Sequence, residues 1–316
     1  MLNIHAFAQA KGYRSYLEKE AVGSWKGSGS KLLNLPDDVT KENFSSIRQG
    51  LHPETGEELR IRKVVDRVYH KPWGTETYKS REMYDLVISA PKSVSVMAMV
   101  DPRISASHQE AVSKTLERME QRNGAMVVAE YHHHNSRKLD PQEHTHLLAA
   151  NLSFDGERWK TLNANKMYRG QQEITDGYRD FLFRKLEREG YRIDYPEIAG
   201  IPPEIIEKFS QRSQDRDESI EEFMQYQGKE PTNREISILV RDNRQEKPLM
   251  SLEEARRQQI ERLTPSEHSG LVRLREEARE KEVSYSFDLN DHVVHESAAH
   301  HHVAWSYGGK EKQRSY

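Results

Sequence analysis

The sequence contains no cysteine among its 316 residues. This absence excludes disulfide bonds, thiolate nucleophiles and cysteine-ligated zinc or iron–sulfur sites, so any bound metal must use histidine or carboxylate ligands. Long apolar runs are also missing, and no segment approaches the roughly 20 consecutive apolar residues that a membrane helix needs. The first residues lack the pattern of a signal peptide. These absences indicate a cytoplasmic protein without membrane insertion.

A surplus of positive charge is missing as well. The 48 lysine and arginine residues are outnumbered by 51 aspartate and glutamate residues, which gives a formal net charge of −3. Composition therefore gives no support to nucleic-acid binding, and any such site must be a local patch. Charged residues make up 31% of the chain.

The length of the chain predicts one domain with a sizeable core and a smaller second unit.

The spacing of apolar residues predicts an α+β fold. Alternation predicts strands, and apolar positions three or four residues apart predict helices. The predicted strands are residues 2–6, 59–65, 82–89, 126–134, 144–154 and 157–163, and the predicted helices are residues 8–20, 107–122 and 170–189. Residues 23–30 are predicted to form a glycine- and serine-rich loop. We expect a compact domain over 1–215, a charge-dense helical appendage over 216–284 and a disordered tail over 285–316.

Three histidines form the strongest chemical pattern in the sequence. His144 and His146 lie two positions apart in a predicted strand, so both imidazoles point to one face and can bind one ion. His133, in the preceding predicted strand, can supply a third nitrogen. Three such ligands leave coordination positions open for a substrate oxygen, as a catalytic metal requires. We predict one divalent ion, for which imidazole ligands favour zinc or nickel, while magnesium or manganese in excess remain alternatives.

Other basic residues and histidines have less specific interpretations. Arg137, in the loop between the two histidine-bearing strands, is placed to meet a phosphate. Lys92 could contact a phosphate or cover apolar surface with its stem. His132 and His134 flank His133 in the predicted strand, so their side chains should point to the opposite face and serve in packing or DNA contact. Five further histidines lie within 292–302, and we expect them to belong to a solvated tail.

A histidine-bound metal would suit a hydrolase that activates water, but Tyr16 offers a different nucleophile. A phenol with an ordinary pKa of about 10 can attack phosphorus when a base or a metal assists it. Tyr13 lies three positions earlier on the same face of the predicted helix. Asp85 lies on a sheet face among apolar neighbours, where a carboxylate needs a partner. The candidates are the Tyr16 hydroxyl and the free ring nitrogen of a metal-binding histidine.

Four ordered blocks make the chain resemble the MobF class of conjugative relaxases over at least residues 1–215. The blocks are the opening SYL with SWKGSGSKLLNL, then YDLVISAPKSVSV, then HHNSRKLDPQEHTHLLAANL, and last PEIAGIPPEIIEKFSQRS. The resemblance implies an antiparallel-sheet palm with helical fingers around DNA. It also implies nicking of single-stranded DNA at a transfer origin, next to a hairpin, in a cell that supplies a coupling protein.

The resemblance also implies roles for individual residues. Tyr16 matches the nucleophile that becomes joined to the 5′ phosphate at the cut. His133, His144 and His146 match the triad that holds a divalent metal against the scissile phosphate. Asp85 matches an acidic residue that assists the tyrosine and orients a metal ligand.

Two features depart from the family pattern. After Tyr16 no tyrosine occurs until Tyr69, whereas family members commonly carry a second tyrosine or a tyrosine pair several residues after the first, so Tyr13 is the only nearby substitute. No G-x-x-x-x-G-K-[ST] motif occurs, and we expect any helicase to act in trans. A rolling-circle replication initiator with the same chemistry and a non-catalytic single-stranded-DNA binder remain alternatives. Covalent capture of cut DNA would separate the non-catalytic binder from the two enzymes.

Overall fold

A central antiparallel sheet packed against helices organises the protein in a computed structural model, which describes residues 1–7, 13–18, 21–60, 66–78, 80–242, 248 and 250–291. The strands are β1 (Leu2–Phe7), β2 (Ser24–Lys26), β3 (Arg67–Lys71), β4 (Gly74–Tyr78), β5 (Met83–Ser89), β6 (Ala125–Asn135), β7 (Pro141–Phe154), β8 (Trp159–Lys160), β9 (Ile193–Asp194) and β10 (Glu197–Ile198). The helices are α1 (Tyr13–Leu17), α2 (Ser28–Leu32), α3 (Lys41–Gln49), α4 (Lys92–Met97), α5 (Arg103–Asn123), α6 (Ala164–Arg169), α7 (Gln171–Arg188), α8 (Pro203–Lys208), α9 (Gln211–Gln227), α10 (Asn233–Asp242), α11 (Leu252–Glu261) and α12 (Pro265–Asp291).

The main sheet has six strands in the order β1–β5–β7–β6–β2, and β8 pairs with β7. Every pairing within it is antiparallel. The α+β class and the antiparallel palm are therefore confirmed. Two small hairpins, β3–β4 and β9–β10, stand apart from this sheet. Within the described part of the chain, no helix has both the length and the apolar character needed to cross a membrane.

The two faces of the main sheet have different neighbours. One face is buried with α5, α7 and parts of α12, as Leu147, Ala149, Leu186 and Leu271 share one core. On the other face, Leu148 belongs to a second core that includes residues of α3. Because side chains alternate along a strand, the same face of β7 that carries Leu148 also carries the predicted metal ligands. One half of this face is thus apolar core, and the other half is polar.

The register of the three central strands brings the predicted site residues together. His133 on β6 lies directly opposite His144 on β7. Asp85 on β5 pairs with Leu148, two residues beyond His146 on the same face of β7. Diagonal neighbours at this offset lie within reach of long side chains. The sheet therefore positions the site through backbone pairing between strands that are distant in sequence.

The predicted loop at 23–30 is wrong, since β2 and α2 occupy it. The glycines permit close packing against β6: a Cβ on Gly29 would lie 2.6 Å from the Met126 carbonyl oxygen. Gly27 has a φ of 87°, which is the left-handed region that favours glycine. These glycines indicate close contact between backbones rather than an irregular segment.

Several predicted element boundaries shift. The helix predicted at 107–122 begins earlier, at Arg103, whose backbone N–H donates to the Asp101 carboxylate at 3.1 Å. The strand predicted at 157–163 shortens to β8, because Asp155 Oδ1 accepts the backbone N–H groups of the two residues that were expected to start it. Of the strand predicted at 59–65, residues 61–65 lie outside the described residues.

The C-terminal helices pack on the main domain. Leu263, Leu271 and Ala278 are buried in the same core as the residues of α5 and α7. The backbone of α12 is helical through Asp291, which extends into the segment predicted as a disordered tail. The division of the chain at residues 215 and 284 remains a prediction.

Candidate functional site

A cleft of about 890 Å³ lies over the polar half of the sheet. Its floor is formed by side chains from β5, β6 and β7, and its walls by β1, α1 and the start of α9. The charged and titratable residues that line it are His5, Tyr13, Asp85, His133, Arg137, His144, His146 and Arg212. The cleft therefore gathers most of the residues that the sequence singled out.

The three predicted metal ligands meet in this cleft. The ring centroids of His133, His144 and His146 are 5.2 to 5.4 Å apart, which is a nearly equilateral arrangement. One nitrogen from each ring lies within 4.8 Å of the others. His133 is buried and the other two are partly exposed, so the cluster can be reached from the cleft.

One nitrogen of each ring contacts a group that can only accept a hydrogen bond. His144 Nδ1 lies 2.8 Å from the Gln142 carbonyl oxygen, and His133 Nε2 lies 3.1 Å from the Leu17 carbonyl oxygen. His146 Nδ1 lies 2.8 Å from Asp85 Oδ2. Each of these nitrogens therefore carries the ring proton, and in a neutral ring the other nitrogen has the lone pair that can bind a cation. The donor set thus fits a divalent ion.

Asp85 is buried and joins the triad to α1. It accepts hydrogen bonds from His146 Nδ1 and, at 2.8 Å, from the hydroxyl of Tyr13. A metal-binding histidine, one of the two partners expected for this carboxylate, is therefore found. A further contact comes from Tyr13, whereas the side chain of Tyr16, the other expected partner, lies outside the described residues.

Helix α1 is tied to the site on both sides of Tyr16. Tyr13 contacts Asp85, and the carbonyl of Leu17 accepts the hydrogen bond from His133. The backbone of Tyr16 lies in the helix between these two anchors, while its side chain lies outside the described residues.

Two arginines give the cleft positive charge. Arg137 lies in the turn between β6 and β7, as expected, and it lines the cleft. Arg212, at the start of α9, was missed, although it belongs to the last of the four sequence blocks. Its neighbour Gln211 donates two hydrogen bonds to Asp140, at 3.1 Å from the backbone and 2.7 Å from the side chain, which fixes this end of α9 beside the β6–β7 turn.

Lys92 is placed differently. Its ammonium group donates a hydrogen bond to the Pro141 carbonyl at 3.1 Å, and it is not among the residues that line the cleft. Burial lowers the pKa of this ammonium from its usual value, which the neighbouring Asp140 partly offsets. Of the two interpretations from the sequence, the position of Lys92 at the start of α4 favours a structural role.

A second group of polar side chains lies on the opposite face of β6 and β7. His132 and His134 point there, as the alternation predicts, and both contact the buried carboxylate of Glu143. His108 on α5 and Tyr178 on α7 extend the group, and burial lowers the pKa of His108 to about 3. Glu143 was missed, although its place two residues before Thr145 put it on this face. The histidines within 292–302 lie outside the described residues.

The sequence matches a family model described as TrwC relaxase over residues 4–265. Among curated proteins it is similar to the multifunctional conjugation protein TraI of Escherichia coli strain K12, with 30% identity over 230 residues. That match covers 63% of this chain and 12% of TraI, so the chain spans about one eighth of the relative's length.

Solved structures of TrwC are similar in fold. A copper-bound structure of the conjugative relaxase TrwC with OriT DNA has a TM-score of 0.68 and 25% identity, and it covers 83% of this chain and 97% of that one. TrwC with a 27-mer DNA comprising the recognition hairpin and the cleavage site has a TM-score of 0.66 and 24% identity, with the same coverage. The family model covers most of the chain, and the protein therefore belongs to the TrwC relaxase family.

Proposed function

We propose that this protein is a relaxase that nicks one strand of DNA at a transfer origin through a 5′-phosphotyrosine intermediate. The observation that carries the proposal is the arrangement of three imidazoles, with one nitrogen of each ring within 4.8 Å of the others, beside a carboxylate and a tyrosine-bearing helix. A fold shared with the TrwC relaxase supports it. The reaction begins plasmid or mobile-element conjugation.

His133, His144 and His146 hold one divalent ion in this proposal. When bound, the ion polarises the scissile phosphate and stabilises the charge that develops on it. Imidazole ligands favour zinc, nickel or copper in affinity, and magnesium or manganese in excess remain alternatives for turnover. A TrwC relaxase structure with bound copper supports the binding of a divalent metal ion.

Tyr16 is the proposed nucleophile. Its hydroxyl oxygen forms a bond to phosphorus, the bond from phosphorus to the 3′ oxygen breaks, and the departing oxygen takes a proton to become a free 3′ hydroxyl. The tyrosyl proton passes to a base. Because Asp85 already accepts hydrogen bonds from His146 and Tyr13, we assign it mainly to holding the His146 ring in its metal-binding tautomer.

Arg137 and Arg212 are proposed to contact the DNA backbone. Both line the cleft that holds the triad, and guanidinium groups form paired hydrogen bonds with phosphate oxygens. Local positive charge of this kind is what a chain with a net charge of −3 requires to bind DNA. The proposed substrate is single-stranded DNA next to a hairpin, as in the 27-mer complex of TrwC.

We also propose that the protein acts in the cytoplasm, where it would meet its DNA and a coupling protein. A rolling-circle replication initiator would use the same site on a different origin. The match to conjugation proteins favours transfer over replication. A binder without catalysis is disfavoured because the three clustered imidazoles, with Asp85 hydrogen-bonded to one of them, suit metal chemistry better than packing.

The proposal is tested with single-stranded oligonucleotides that tile the DNA flanking the protein's own gene. Incubation with manganese or magnesium should cut one of them at a single phosphodiester and leave protein attached to the 5′ phosphate at the break. A matched set from the complementary strand serves as the control. Cutting of neither strand, with the metal bound and the fold intact, would refute the proposal.

A further inference from the structure

The back of the β6–β7 pair carries a second set of ligand-type side chains. His132 Nε2 lies 2.8 Å from Glu143 Oε2, and His134 Nδ1 lies 2.9 Å from Glu143 Oε1. One ligand atom from each of the three lies within 4.8 Å of the other two. These residues alternate with the triad along the same strands, so the two clusters lie on opposite faces of the sheet.

The spacing is close to what a four-coordinate ion requires. For metal–ligand bonds of about 2.0–2.1 Å, neighbouring ligands of a tetrahedral ion lie about 3.3 Å apart. The present separations of 2.8 and 2.9 Å are those of N–H···O hydrogen bonds. An ion would take the place of the two ring protons, and the ligands would move apart by a few tenths of an ångström.

The outer nitrogen of His132 has a partner that suits metal binding. His132 Nδ1 lies 3.0 Å from the hydroxyl of Thr145, and the same hydroxyl lies 3.0 Å from His108 Nε2. With an ion on Nε2, His132 would donate its Nδ1 proton to Thr145, which would donate in turn to His108. A ligand histidine usually donates its second nitrogen in this way, which fixes the ring.

The types and burial of these three ligands also indicate which class of ion would bind. Glu143 is buried, with 3% of its side chain exposed, so its charge needs cationic partners. The side chain of His134 is 23% exposed, which gives an ion a route from solvent. Two imidazoles and one carboxylate suit zinc and similar ions better than magnesium.

We propose that His132, His134 and Glu143 form a second cation site, for a zinc-class divalent ion, on the face of the sheet opposite the histidine triad. The site is structural. It joins β6 to β7 across the register shift that follows His133, and so holds the strands that position His133 and His144 on the other face. The proposal does not depend on the protein being a relaxase.

The test counts bound zinc in full-length protein. The five histidines within 292–302 are first replaced by alanine, since they would bind metal on their own. In this background, zinc retained after gel filtration should be two equivalents per chain. Adding His144→Ala and His146→Ala should remove the triad site and leave one equivalent. Cobalt(II) in that protein should give the intense visible absorption of a four-coordinate site.

A further substitution assigns the remaining ion. In the triad-depleted protein, His134→Asn should remove the last equivalent and the cobalt absorption, whereas His70→Asn, on the β3–β4 hairpin, should leave both unchanged. Near-UV circular dichroism checks that each variant is folded, and Glu143→Gln replaces His134→Asn if that variant is not. Absence of zinc from the triad-depleted protein would overturn the proposal and make the cluster a hydrogen-bonded one only. Retention of zinc by both His134→Asn and Glu143→Gln would overturn it as well.

Discussion

Replacing Asp85 with asparagine tests how the buried carboxylate acts on the triad. Asp85 Oδ2 accepts hydrogen bonds from both Tyr13 and His146, each at 2.8 Å. Asparagine has one acceptor oxygen and one donor group. If the amide nitrogen faces His146, it donates to Nδ1 and moves the ring proton to Nε2, the nitrogen that would bind the ion. Metal affinity should then fall by about 10–100-fold, or about 1.4–2.7 kcal/mol.

The assay compares metal binding with cleavage across a metal titration. An orienting role for Asp85 predicts that cleavage by Asp85→Asn is slow at low metal and recovers much of its rate when metal is in excess. A role as the base that deprotonates the tyrosine predicts instead a loss of about 10²–10⁴-fold that excess metal does not restore. The two roles are therefore separated by the metal dependence of the rate.

A matched control is Asp101→Asn. Asp101 is also buried and also accepts a hydrogen bond from a tyrosine hydroxyl, that of Tyr191 at 2.7 Å, but it does not line the cleft. This control should lower thermal stability and leave metal affinity unchanged. Near-normal cleavage by Asp85→Asn at low metal would refute the reasoning for either role.

Further predictions follow from the same geometry. His144→Ala with His146→Ala should abolish cutting and largely preserve binding of a hairpin oligonucleotide, as measured by fluorescence anisotropy; loss of binding would contradict separate metal and DNA contacts. Arg212→Ala should weaken DNA binding and reduce the slope of log affinity against log salt by about 1, and an unchanged slope would remove this phosphate contact. Tyr13→Phe removes one of the hydrogen bonds to Asp85, so it should slow cleavage without preventing the covalent adduct in a gel assay. Because burial lowers the pKa of His108 to about 3, below the value of about 6.5 in an unfolded chain, the unfolded state binds the proton first as pH falls. The stability that this residue contributes is thus present above pH 6.5 and is lost as the pH falls towards 3. In urea unfolding experiments, the free energy of unfolding of His108→Gln should therefore fall less steeply than that of the wild type between pH 6.5 and pH 4.

The sequence predicted the site best where strand alternation fixes the geometry. The alternation of His144 and His146 was sufficient to place both rings on one face, and His133 joined them because β6 and β7 pair as neighbours. Alternation along β5 likewise placed Asp85 on a buried face of the sheet, where a carboxylate needs a partner. Local periodicity carries this information because a strand has a fixed two-residue repeat.

Contacts between distant segments were not predictable. Nothing in the sequence around Tyr13 shows that its hydroxyl reaches Asp85, which is 72 residues away. Arg212 lies at the cleft because long-range contacts, such as the hydrogen bonds from Gln211 to Asp140, hold the start of α9 beside the β6–β7 turn. The β3–β4 hairpin was also missed, since β3 is largely exposed and lacks the apolar alternation by which strands are recognised.

The covalent intermediate provides the most direct test of the proposed mechanism. The protein is incubated with the oligonucleotide that it cuts, digested with protease and nuclease, and the phosphorylated peptide is sequenced by mass spectrometry. The mechanism predicts a nucleotide-bearing tyrosine at position 16, a free 3′ hydroxyl on the released strand, and no adduct from Tyr16→Phe. An adduct on Tyr13, or cut DNA with no attached peptide in the wild-type protein, would contradict it.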